Sequence, residues 1–507
     1  MSARRTQATP IPTTTRRRWQ ALALVASLAG CRGGDARRPA LEVVIGEPPA
    51  TLDPRYCTDA AGMRVSRLAH AGLVRLDPDT MEPRPYVAES LEWAGDREVR
   101  VTLRPGVRFA EADREVTPAD VCATLGALAD PRVASPHRAV ASSFGACTQT
   151  GPRALSLRLD LPRATVETDL EVPILRADEA RSPPRPDGSL DGLGPFRVRG
   201  SQAGQIELEA REGGALPRPA HDVVVRVVRD ENARALRLLA GKADVVPNGL
   251  SPPLLSAVSS EGYAVVRRPG AGFTYLVPRA DQAPFRDADV RRAVALALDR
   301  PLLARTLLGG ATVADGPLSP ASWAYVPPTE TITRDVGRAR STFAAHGVSR
   351  LTLLVSSDRA RGVLARAIAQ MLGEAGVEVE VQPLELGVLL SRLSVGEFEL
   401  ALLQIPEVGE PNVLRWFFHS ASTPEGGHGA NRARFRDAEI DAALDEASVV
   451  PDRARRRAAY ARALARMYAQ TPVIPLFHED HVAAVSARAA TFAPSVDGRW
   501  LGLATVR

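Results

Sequence analysis

Apolar and polar positions along the chain follow two rhythms, one of period two and one of helical spacing. Leu41-Glu42-Val43-Val44-Ile45 is rich in β-branched residues and is followed by the turn-forming pair Pro48-Pro49, which predicts a strand. Val99-Arg100-Val101-Thr102-Leu103 alternates cleanly and ends at Pro105-Gly106, a second strand. Thr117, Pro118 and Asp120 mark a helix start: a capping hydroxyl, a proline whose missing N–H is no loss in the first turn, and a carboxylate three residues on. Val121, Leu125 and Leu128 then share one face, and Pro131 stops the helix. Strand-like runs return at 205–210 and 222–228, followed by a helix through Ala233, Leu236, Leu239 and Ala240 that Gly241 closes.

Beyond position 270 the helical rhythm dominates. Val290, Ala293, Val294, Ala297 and Leu298 mark one helix, and Pro301 opens the next, which ends at Gly309-Gly310. Between 351 and 382 the apolar run Leu351–Val355, the stripe Val363, Leu364, Ala367, Ile368, Met371 and Leu372, and the alternation Val377, Val379, Val381 predict strand, helix and strand. Such a unit pairs its strands in parallel beneath a covering helix. A last helix sets Tyr460, Leu464, Met467 and Tyr468 on one face, and its arginine-rich side reads as solvated surface. The Pro/Gly-rich stretch 181–195 is a candidate boundary, and 507 residues are too many for one core.

The N-terminus follows neither rhythm. Arg16-Arg17-Arg18 precedes the short apolar run Trp19–Ala29, well under the roughly 20 residues that a membrane-crossing helix needs. The run ends at Leu28-Ala29-Gly30-Cys31, which resembles the bacterial lipobox: a branched apolar residue, two small ones, then the cysteine that accepts the lipid. Residues 1–31 are therefore expected to be a lipoprotein signal peptide, with Cys31 as the lipid attachment point. Residues 32–40, polar and without periodicity, read as a flexible tether. At about 0.8 kcal/mol per buried methylene, two or more acyl chains hold a protein stably at a membrane where one does not.

Composition removes several functions. Hydrophobic residues make up 45% and charged residues 24%, an ordinary globular balance. The net charge of +5 includes the N-terminal Arg4, Arg5, Arg16, Arg17 and Arg18, and no basic stripe interleaved with aromatics supports nucleic-acid binding. Four cysteines stand at 31, 57, 122 and 147, without the C-x-x-C spacing of a zinc site. With Cys31 set aside, at most one disulfide can form. Cys122 and Cys147 are the plausible partners; pairing through Cys57, or three free thiols, are the alternatives. Gly192-x-Gly194 lacks the third glycine of a dinucleotide fingerprint, Gly241-Lys242 lacks the rest of a phosphate loop, and no G-x-S-x-G elbow occurs. His478-Glu479-Asp480-His481 has no third metal ligand at a diagnostic spacing and reads as the surface cap of the strand before it. The reading is a binding protein, not an enzyme, with neither metal nor cofactor.

From about residue 42 onward the chain resembles the family 5 extracellular solute-binding proteins, the peptide- and nickel-binding components of bacterial ABC importers. Pro49-Ala50-Thr51-Leu52-Asp53-Pro54 resembles P-x-T-L-D-P, Ala71–Arg75 resembles D/E-G-L-V, and Val87–Glu92 resembles L-A-E-S-W-E. Leu103–Phe109 resembles L-R-x-G-V-x-F, Thr117–Val121 resembles T-A-x-D-V, and Gly192–Phe196 resembles G-T-G-P-F. Leu236–Val245 and Pro284–Arg300 match the L-x-x-G-x-x-D and P-F-x-D-x-R-V-R-x-A…DR segments. The chain departs from the family where F-H-D-G is Phe109-Ala110-Glu111-Ala112, where Pro278 and Arg279 replace an asparagine, and where W-x-x-D…D-P reads Gln404–Pro411 without the tryptophan.

The resemblance implies an α/β, two-lobed periplasmic-binding-protein fold, class II-like and of the type C cluster, with an extra subdomain in the first lobe. The expected division is 41–75, 190–270 and 481–507 for the lobe I core, 76–189 for the subdomain, and 271–480 for lobe II. A small solute, expected to be a short peptide, would bind in the cleft and be handed to ABC permease subunits. The body would be a monomer, lipid-anchored to a membrane and facing the periplasm or exterior. A ligand-sensing or degenerate envelope lipoprotein of the same fold is the alternative. Expected ligand contacts are Tyr56, Asp59, Phe273, Tyr275, Gln404, Glu407 and Glu410, the carboxylates pairing with a ligand cation and the aromatics stacking on it. Phe273 and Tyr275 also share a face that could simply pack as core.

Overall fold

The structure is a computed structural model, and it describes residues 39–185, 190–202, 204–425 and 429–507; Cys31 and the signal segment lie outside the described residues. Three principal sheets organise them. The first has seven strands in the order Ala264–Arg268, His481–Val485, Val245–Pro247, Leu41–Ile45, Val223–Val227, Gln205–Ala210 and Phe196–Gln202. Leu41–Ile45 lies near its middle with parallel neighbours on both sides, and Leu41, Val43 and Val44 are fully buried. A strand covered on both faces needs a continuous apolar run, which that segment supplies. The second sheet has six strands in the order Ala311–Val313, Ile474–Glu479, Phe273–Pro278, Leu400–Ile405, Arg350–Ser356 and Glu378–Leu384. Arg350–Ser356 and Glu378–Leu384 pair in parallel, Leu351 opposite Val379 and Leu353 opposite Val381, with the helix Arg359–Glu374 between them in the chain.

The third sheet is antiparallel, in the order Ala88–Trp93, Glu98–Leu103, Ala154–Leu159 and Phe144–Gln149. Val121, Leu125 and Leu128 of the helix Pro118–Ala129 share its core. The buried Asp120 carboxylate accepts from the Thr117 N–H at 2.9 Å, the Thr117 hydroxyl at 2.8 Å and the Ala177 N–H at 2.9 Å, and takes the Arg114 guanidinium at 2.7 and 2.8 Å. Cys122 on this helix is disulfide-bonded to Cys147 on the edge strand, with Cα atoms 5.4 Å apart. Cys57 is free and buried, and burial pushes its thiol up to about 12. Among the described residues no helix is long and apolar enough to cross a membrane. The helix Glu231–Leu239 faces its neighbours with Ala235 and Leu238, leaving Leu236 65% exposed.

The strands of the first sheet all lie within 41–45, 196–268 and 481–485, and those of the second within 273–479, so the chain crosses between the sheets twice. It leaves at Arg268 for Phe273 and returns between Glu479 and His481. The expectation that His478-Glu479-Asp480-His481 caps a strand at the surface is therefore wrong: this stretch is a crossing, and His478 is 1% exposed. The two crossings run in close contact. A Cβ on Gly270 would lie 2.1 Å from the Glu479 carbonyl oxygen, so only glycine fits there. His478 Nδ1 lies 2.8 Å from the Gly272 carbonyl, and His481 Nδ1 lies 2.9 Å from the Asn248 amide nitrogen. Burial lowers both rings to about 4, so both are neutral at pH 7.

Two outcomes follow for the crossing. Gly270→Ala should lower stability by roughly 1–3 kcal/mol through overpacking, read as a fall in the urea midpoint; an unchanged midpoint would mean the strands part freely. Each histidine takes a proton near pH 6.5 when unfolded but only near 4 when folded. Stability is then whole above about pH 6.5 and falls as the pH drops toward 4, by roughly 2 kcal/mol per ring at pH 5. The difference between pH 7.5 and 5 should shrink in His478→Gln; the same difference in the variant would contradict the assignment.

Candidate functional site

Where the lobes face each other, charged side chains from four separate stretches converge on one guanidinium. Arg499, near the C-terminus, is 7% exposed. Its Nε lies 2.6 Å from Asp497 Oδ2, and Nη2 lies 2.9 Å from Glu171 Oε2 and 3.2 Å from Glu407 Oε1. Arg67, on the helix Ala60–Ala69, stands 3.5 Å from Glu171 and 3.8 Å from Glu407. Glu407 belongs to the loop after the lobe II strand Leu400–Ile405, whereas the other four residues belong to lobe I and its subdomain. Burial opposes the charge on Arg499, but Glu171, Asp497 and Glu407 outweigh it and raise its pKa.

Arg64 lies one helical turn before Arg67 with its guanidinium 5.6 Å from the centre of the Trp500 ring. Burial lowers its pKa against the pull of Glu407 and Asp497, and it has no carboxylate within 4 Å among the described residues. Further contacts hold the lobes together. The Ala164 N–H donates to the Ser448 carbonyl at 2.9 Å, Arg453 pairs with Glu82 at 3.0 Å, and the Thr168 hydroxyl donates to Glu410 Oε2 at 3.2 Å.

The expected contact residues divide accordingly. Glu407 faces the cleft, within reach of two arginines. Glu410 is held by Arg456 at 2.6 Å and the Asn412 N–H at 3.1 Å, so its charge serves the lobe interface. Gln404 is exposed on its strand and accepts from Arg361 at 3.1 Å; Arg361 also pairs with Glu479, which accepts from the Thr274 hydroxyl at 2.5 Å. Asp59 caps the helix Ala60–Ala69, accepting from the Gly62 N–H at 2.7 Å and the Ala50 N–H at 3.1 Å. Tyr56 is half-buried with the Arg55 guanidinium 5.3 Å from its ring. Phe273 and Tyr275 are 0% and 4% exposed and stack on each other at 4.8 Å in the core of lobe II. Their shared face made both readings open in the sequence; the helices packed on that side of the sheet decide for core. Sequence reasoning missed Arg64, Arg67, Glu171, Asp497 and Arg499. The spacing of Arg64 and Arg67 behind the cap Asp59 places both on one helix face, but nothing local ties them to positions 407 or 499.

The arrangement makes a charge latch between the lobes. Removing Arg499 strands buried carboxylates, so Arg499→Met should cost about 3–5 kcal/mol in urea unfolding. Glu407→Gln leaves Arg499 with two carboxylates and should cost no more than about 1–2 kcal/mol. Equal losses in the two variants would mean that Glu407 is as deeply built in as the rest.

The comparisons with known proteins agree with this geometry. Residues 82–424 match the family model described as bacterial extracellular solute-binding proteins, family 5 Middle. The di/tripeptide-binding protein 2 of Pseudomonas aeruginosa (strain UCBPP-PA14) is 25% identical over 503 residues, covering 90% of this chain and 92% of that protein. The ABC transporter substrate binding protein CtaP of Listeria monocytogenes superposes with a TM-score of 0.81 at 19% identity, over 91% of this chain and 98% of that one. NikA from Brucella suis, solved with Fe(III)-EDTA, gives 0.81 at 18% identity, over 92% and 99%. Two sheets joined by two crossings, lobes meeting over a charged cleft, and a family match across most of the described residues lead to one assignment: the chain belongs to the family 5 bacterial extracellular solute-binding proteins.

Proposed function

We propose that this protein is the extracytoplasmic substrate-binding lipoprotein of an ABC importer, anchored through Cys31, that closes its lobes over a short peptide and delivers it to a membrane permease. The observation that carries the peptide reading is the mixed charge of the cleft. A short peptide is a zwitterion, and Glu407, 3.8 Å from Arg67 and within electrostatic reach of Arg64, offers both signs close together. Glu407 would take the ammonium end. Arg64, without a carboxylate neighbour, would take the carboxylate end. The similarity to a di/tripeptide-binding protein over nine-tenths of the chain supports the same ligand class. Closure then follows from differential affinity, since ligand bridging the lobes favours the closed form.

A second reading has one observation in its favour. Glu407 is already paired with Arg499 inside the protein, as in a sensing or degenerate envelope protein that needs no cargo to stay closed. A thermal-shift screen of the mature chain against di- and tripeptides, nickel chelates and sugars separates the two. Ligand at a hundred times its dissociation constant adds about 2.7 kcal/mol, a dose-dependent rise of a few degrees for a body this size. Peptides should give that rise, and Glu407→Gln should weaken it about tenfold. A rise with chelates or sugars alone would reassign the cargo, and a flat screen would select the second reading. For the anchor, Cys31→Ser should abolish palmitate incorporation; incorporation that persists would contradict it.

A further inference from the structure

Lobe I contains a cavity of about 350 Å3 that adjoins the latch. Its walls come from 67–86, 171–173, 216, 268 and 491–505, and no described residue between 271 and 480 lines it. Arg67, Glu171, Asp497 and Arg499 form one wall and are shared with the latch. Val74, Leu76, Leu216 and Leu501 supply apolar lining. Four arginines and three carboxylates line the whole, which leaves one positive charge over.

That charge is at Arg75. Arg67 and Arg499 pair with the carboxylates of the latch, and Arg268 pairs with Asp79. Arg75 has no carboxylate within 4 Å among the described residues; its guanidinium lies 5.6 Å from the centre of the Tyr86 ring. The Tyr86 side chain is 4% exposed, lines the same cavity, and its hydroxyl has no hydrogen-bond partner. His70, 2% exposed and also in the wall, leaves both ring nitrogens unpartnered. Buried polar atoms are nearly always satisfied, so a hydroxyl left open on the ring beside a spare guanidinium requires an explanation.

We propose that this cavity is a second binding site, for a small amphipathic carboxylic acid. The carboxylate would lie against Arg75 and accept the Tyr86 O–H. The apolar tail would lie along Val74, Leu76, Leu216 and Leu501. A volume of this order falls in the range of small-molecule pockets, and an apolar wall with a few convergent polar groups is their usual composition.

Calorimetric titration of the mature chain with octanoate and benzoate, and with their neutral amides, tests the proposal. Saturable binding of at least one carboxylate is expected, at least tenfold tighter than that of its amide. Arg75→Gln should erase that difference, and Tyr86→Phe should weaken the acid several-fold while leaving the melting temperature of the free protein unchanged or higher. Both variants should keep whatever peptide binding the wild type shows, since neither residue lines the latch. The absence of saturable binding by both acids, or equal binding to wild type and Arg75→Gln, would overturn it.

Discussion

A guanidinium taken out of water needs acceptors for its N–H groups and its charge, and Arg499, almost entirely out of water, finds them in carboxylates. Much of the cleft architecture answers that constraint. Glu171 comes from the subdomain, Asp497 from the neighbouring turn, and Glu407 from the other lobe. Two partners are permanent, because they belong to the same lobe as the arginine. The third comes from the other lobe, so the demand of Arg499 for negative charge also acts between the lobes.

The crossing gives that force a path to act along. Two strands passing at Gly270 and Glu479 join the sheets, and they are too close for any side chain at the glycine. Such close passage leaves no room for a side chain between the two crossings. The neutral His478, tied to the Gly272 carbonyl, braces the same spot. Across the lobe interface Glu407 meets Arg67 and Arg499, Thr168 meets Glu410, and Arg453 meets Glu82. The lobe interface is polar throughout these contacts, as suits two surfaces that must also meet water when apart.

Local order was plain in the sequence, and convergence was not. The strand Leu41–Ile45, the capped helix at Thr117 and the strand–helix–strand unit at 351–382 are written in runs shorter than forty residues, where periodicity and capping chemistry act directly. The crossing at 478–481 was misjudged because a buried histidine after an apolar run looks like a surface cap until its partner strand, some two hundred positions earlier, is known. Phe273 and Tyr275 lay on a face that local spacing could not assign to ligand or to core. The latch unites positions 67, 171, 407, 497 and 499, and no spacing rule reaches across such intervals. Glu407 was reachable only through the family resemblance, and its pairing with arginine only through the fold.

Small-angle X-ray scattering of the ligand-free wild type and of Glu407→Gln tests the third partner most directly. If the Glu407 carboxylate holds the lobes closed against Arg67 and Arg499, the variant will show a larger radius of gyration at the same pH and salt. The wild type will approach the variant's value as added salt screens the pair. Superimposable curves at low salt would contradict the latch and leave closure to the remaining lobe contacts.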